Sequence, residues 1–157
     1  EHINLSENNF VSPLKIEGFC ELKFLGLRNC ILSMNFIKSI VSLLKEKKLV
    51  IHSIDLSGMK KYLSHEEFTE FLKSIQNIEL DELETLLFDN NLMNSNQTFL
   101  FVNFLKLQKK LTNLSVNWWW SKHITFKFVS CGRIDRWWWM VNNWFSNWLL
   151  TFKYNFE

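Results

Sequence analysis

Four histidines, three cysteines and two carboxylate clusters are the side chains of this chain whose types could support chemistry. His2, His52, His65 and His123 stand far apart, and none has a second ligand at metal-binding spacing. His52 adjoins Ile51 on an expected strand, and His65 lies inside an expected helix cap, so both read as structural. Cys20, Cys30 and Cys131 lack the CxxC spacing or neighbouring His that metal or thiol chemistry needs. Glu66–Glu67 and Asp81–Glu82–Glu84 read as a helix first turn and a solvated face rather than as an acid/base pair. No Gly-rich loop could cradle a phosphate. The sequence therefore predicts no catalytic residue, no metal site and no cofactor: not an enzyme.

The lysine runs at 45–48 and 109–110 are the remaining chemical signal. Both close expected helices, where cations favour the helix dipole, and acids within the same region balance them. Net charge is only +2 over 157 residues. No nucleic-acid partner is expected. Asn4-Leu-Ser6, Asn96-Gln-Thr98 and Asn113-Leu-Ser115 match the glycosylation pattern, but two of the three fall on expected strands.

The elements that would position these residues repeat. Leu22 to Leu32 reads L-x-x-L-x-L-x-x-C-x-L with every position matched. Ile51, Ile54 and Leu56 begin the same pattern, with Met59 where Asn or Cys is due. Leu83, Leu86, Phe88, Asn91 and Met93 complete it again, and Leu111, Leu114 and Val116 start another. Ile3, Leu5, Asn8 and Phe10 supply the end of one more. With Ile3, Leu25, Ile54, Leu86 and Leu114 taken as one equivalent position, the spacings are 22, 29, 32 and 28. Two apolar residues separated by one turn inward on a short strand, and a following Asn or Cys can satisfy backbone groups left open by a tight turn.

Between strands the apolar period becomes helical. Phe36, Ile37, Ile40, Val41, Leu43 and Leu44 predict a helix over 34–48. Ser64 to Glu67 forms a capping box before Phe68, Phe71, Leu72 and Ile75. A third helix is predicted over about 97–110. The 22-residue first spacing leaves room only for an irregular or short helical connector around Pro13.

This repeat resembles the leucine-rich repeat family, and its longer, helix-bearing units are similar to the ribonuclease-inhibitor class. INLSENNF and SIDLSGMKKYLS are also similar to the repeats of cytoskeletal capping-protein regulators. The resemblance implies an α/β solenoid: a short curved arc with parallel strands on the concave side and helices on the convex side. About five repeats fill residues 1–117, the first and last incomplete.

A boundary follows Asn117. Residues 1–117 carry 13 Lys/Arg and 14 Asp/Glu, net −1, whereas 118–157 carry five Lys/Arg and two acids, net +3. All eight tryptophans lie between Trp118 and Trp148. The uncharged run from Trp137 to Phe152 is 16 residues long, short of the roughly 20 that span a bilayer. Three readings of this tail compete: a cap for the last repeat, a membrane-interfacial segment, or a non-native reading frame. A start at Glu1–His2 rather than Met reads as that of a partial or processed chain, and three unpaired cysteines favour the cytoplasm.

One surface follows from the repeat. Outward strand positions form three columns: His2, Phe24, Ser53, Thr85 and Asn113; then Asn4, Gly26, Asp55, Leu87 and Ser115; then Ser6, Arg28, Ser57, Asp89 and Asn117. Phe24, Arg28, Asp55, Ser57, Leu87, Asp89 and Ser115 are the candidate partner-binding residues, with Phe24 and Leu87 as outward apolar contacts and Arg28 and Asp89 as charged anchors. The expected function is a non-enzymatic protein–protein interaction module. The alternative is a membrane-peripheral scaffold that docks through 118–157.

Overall fold

The computed structural model of the chain describes residues 1–13, 20–47, 49–116 and 124–127. It is a mixed α/β structure. Strands β1 (His2–Asn4), β2 (Asn9–Phe10), β3 (Cys20–Leu22), β4 (Phe24–Gly26) and β5 (Ile31–Leu32) precede helix α1 (Met34–Lys45). Then come β6 (Leu49–Ile51), β7 (Ser53–Asp55), α2 (His65–Ile75), β8 (Thr85–Leu87), α3 (Ser95–Lys106), β9 (Asn113–Val116) and β10 (Ile124–Lys127).

The main sheet runs β1-β4-β7-β8-β9-β10. Its first five strands are parallel, and each helix supplies a crossover that a tight hairpin could not. Ile3, Leu25, Ile54, Leu86 and Leu114 are successive Cα partners across those five strands. The equivalence drawn from sequence spacing is thus the pairing register of the sheet. Leu22 likewise pairs with Ile51 in a two-stranded sheet of β3 and β6. Leu27, Leu56, Phe88 and Val116 follow in the next inward row, all buried. The amides of Leu27, Leu56 and Phe88 donate to the Asp55, Leu87 and Ser115 carbonyls, which locks that row strand to strand.

One sheet face packs on the helices. Phe36, Ile37, Ile40, Val41 and Leu44 of α1, Phe68, Phe71, Leu72 and Ile75 of α2, and Leu100, Phe101, Phe104 and Leu105 of α3 join the inward strand residues in one core. Stacked rings run through it, with Phe88 and Phe101 centroids 4.3 Å apart. Full burial of one Leu side chain, as at Leu86, contributes about 1.5–3 kcal/mol.

The helix ends differ from those predicted. α1 stops at Lys45 because Lys47 takes a left-handed φ of 54°, and its amide caps back on Leu44. α3 starts two residues earlier than periodicity suggests. Asn94 caps it by accepting from the Gln97 amide, and the Gln97 side chain accepts from the Asn94 amide. The same helix ends at Lys106, because the buried Gln108 side chain bonds the carbonyls of Ile78 and Phe104 and the amide of Leu80. Lys109 and Lys110 therefore follow the helix rather than end it. The connector expected around Pro13 falls largely on 14–19, outside the described residues.

β10 pairs with β9 antiparallel, Ile124 opposite Val116 and Lys127 opposite Asn113. It takes the edge that a further parallel strand would occupy. The rest of the Trp-rich tail, and with it the membrane-docking expectation, lies outside the described residues. Among the described residues no helix is long and apolar enough to cross a membrane.

Candidate functional site

The turn after each strand sets where the outward side chains stand. Glu7, Asn29, Gly58 and Asn90 hold the same turn position, and all four have φ between 53° and 71°. This left-handed residue reverses the chain immediately before Asn8, Cys30, Met59 and Asn91. Sequence reasoning missed it, although Asn29, Gly58 and Asn90 are the residue types that tolerate such a φ.

The next residue closes the turn. Asn91 is buried; its Nδ2 donates to the carbonyls of Leu56 (2.8 Å) and Phe88, and its Oδ1 accepts from the Lys60 amide. Cys30 does the same with a thiol, whose Sγ donates to the Leu5 carbonyl at 3.0 Å. Burial pushes that thiol's pKa up. Asn8 Nδ2 donates to the carbonyls of Leu5 and Ser6.

On the sheet face opposite the helices, the pairing places the predicted columns side by side. Asn4, Gly26, Asp55, Leu87 and Ser115 are Cα partners in that order. Phe24 is half-buried and stacks on His2, with centroids 6.2 Å apart and 26° between planes. Leu87, Asp89 and Ser115 are half-buried, and Arg28 is exposed. Asn117 lies outside the described residues.

Two candidates do not stand outward as expected. Asp55 is 7% exposed and Ser57 3%. The Asp55 carboxylate folds back to accept from the Ser57 amide at 2.9 Å, and Ser57 Oγ accepts from the Asp89 amide at 3.1 Å. Ser115 Oγ donates to the Asp89 carboxylate at 2.9 Å. These four side chains form a polar chain across β7, β8 and β9 that satisfies backbone amides. Asp55 and Ser57 thereby hold the floor of the face, and Phe24, Arg28, Leu87 and Asp89 remain for contact.

His52, His65 and Lys60 have structural partners. His52 Nε2 lies 3.0 Å from Glu21 Oε1, and His65 Nε2 lies 3.1 Å from Asn94 Nδ2. Because Asn94 Oδ1 is committed to the helix cap, its Nδ2 is the donor and the ring nitrogen the acceptor. Lys60 Nζ donates to the Leu92 carbonyl and to Gln97 Oε1, and burial lowers its pKa. Lysines after the helices pair across repeats: Lys47 with Asp81 at 2.7 Å, Lys109 with Glu79, and Lys110 with Glu82 at 2.7 Å. Among the described residues no group of three His, Cys, Asp or Glu side chains could hold a metal ion. His123 and Cys131 lie outside them.

Comparison with protein-family models, with curated proteins and with solved structures finds no match.

Proposed function

We propose that this chain is a non-enzymatic protein–protein interaction module: a leucine-rich repeat solenoid whose strands line a concave face, whose helices form the convex side, and whose concave face takes a protein partner. The observation that carries this reading is the register. Five apolar positions picked from sequence spacing are consecutive partners on parallel strands, with ladder residues Cys30 and Asn91 bonding the backbone of the preceding repeat. Such a repeat builds a rigid extended surface from strand positions. The side chains on that surface are Phe24, Leu87, Arg28 and Asp89; aromatic residues and Arg are enriched at interfaces, and Arg at hot spots. A cytoplasmic location belongs to the same proposal, and the free thiol of Cys30 fits it.

The test is affinity capture after crosslinking in cell extract, comparing the full chain with a Phe24→Ala, Arg28→Ala, Asp89→Ala variant. The partners held by the parent chain should drop about tenfold or more with the variant, consistent with loss of anchors of about 1–2 kcal/mol each. Retention of the same partners by a folded variant would place the interface elsewhere.

A further inference from the structure

On the footing of that reading, we propose that the face takes an extended peptide laid across the strands, with an acidic side chain over Arg28 and a basic one over Asp89. The argument is charge complementarity. Arg28, exposed, follows β4 and Asp89, half-buried, follows β8, both in the same outward column. β7 lies between them, with its one carboxylate, Asp55, turned into the floor. The face thus carries a cation at β4 and a carboxylate at β8 two strands away, about 10 Å apart at ordinary strand spacing.

Among the described residues, Arg28 has no side-chain ion pair or hydrogen bond. Among the described residues, the Asp89 carboxylate accepts from the Ser115 hydroxyl and keeps further lone pairs for a ligand. The charges at the far ends of the helices, by contrast, are paired across repeats. Opposite charges on a rigid face that are not bonded to each other select a ligand carrying the opposite order. Asp89 would repel a phosphate backbone laid over Arg28, so a peptide fits better than a nucleic acid. An extended peptide turns residues two or four apart to the same side at about 3.3 Å per residue. Those spacings let an acidic residue reach Arg28 and a basic one reach Asp89, with an apolar neighbour on Leu87.

The experiment is selection of a phage-displayed random 12-residue peptide library on the full chain, followed by fluorescence anisotropy with the selected peptides. Expected are peptides with Asp or Glu two or four positions from Lys or Arg. Selection on Arg28→Glu should exchange the acid for a base and leave the other end unchanged; Asp89→Asn, which keeps an acceptor for Ser115, should remove the demand for a base. Arg28→Glu should weaken the parent peptide by about tenfold, the size of one reversed surface charge pair. Selected peptides indifferent to Arg28 and Asp89 but lost on Leu87→Glu would overturn the charge order and leave the face as the interface. No selected peptide, or peptides indifferent to all of these residues, would overturn both.

Discussion

Replacing Gly58 by Ala probes the turn that shapes the whole outward face. Gly58 has φ 71°, and its amide donates to the Asp89 carbonyl at 2.8 Å. An added Cβ would stand 2.1 Å from Asn29 Oδ1 and 3.2 Å from Asn29 Cγ. Two costs are then distinct. Left-handed backbone on a residue with a Cβ costs about 1–2 kcal/mol, offset by about 0.4–1 kcal/mol from a stiffer unfolded chain. The clash adds about 1 kcal/mol, because Asn29 must leave its rotamer. The net loss is about 2 kcal/mol, or about 4–8 °C in Tm for a chain of this size. The assay is urea unfolding followed by circular dichroism, run as a double-mutant cycle with Asn29→Gly. In that background the clash is gone, and Gly58→Ala should cost only about 1 kcal/mol. Equal cost in both backgrounds, or none in either, would refute the packing of these two turns.

Three further outcomes follow from the same structure. Glu7 occupies the left-handed position with the least suitable residue of the four, so Glu7→Asn should raise stability by about 0.5–1 kcal/mol in the same urea assay. Asn91→Ala should cost about 3 kcal/mol, because it strips partners from the Lys60 amide and the Leu56 carbonyl inside a buried turn; a loss below about 1 kcal/mol would argue that those groups find other partners. The Lys47 ammonium holds the Asp81 carboxyl below its ordinary pKa. A depressed carboxylate stabilises the folded state above its unfolded pKa of about 3.9, and that contribution fades as pH falls through the lower folded value. The midpoint difference between the parent chain and Asp81→Asn should therefore be present at neutral pH, shrink in acid, and also shrink in high salt because the pair is exposed.

The apolar spacing held enough information for the sheet. Ile3, Leu25, Ile54, Leu86 and Leu114 repel water whatever surrounds them, and only one register turns all five toward the core. The Ser64–Glu67 box was equally legible, because both partners of a cap lie within one turn of sequence. Depth was not legible. Alternation gives Asp55 and Ser57 a direction, but their burial follows from where short polar side chains find amides, which depends on the neighbouring turn. Asn94 does not stand out as a cap in the sequence, because the apolar period of its helix is weak at its start, where Gln97 and Thr98 are buried polar residues. The pairing of β10 could not be read because the repeat pattern breaks before it, and backbone bonding leaves little mark on residue type.

Parallel units that stack in register face a hazard: one molecule's leading strand can pair with another's trailing strand, and nothing in the geometry stops the chain of molecules from growing into a fibre. Reversed Ile124–Lys127 sits where β1 of a second copy would have to join β9. With that berth filled by the molecule's own backbone, end-to-end growth through this contact would first have to evict β10.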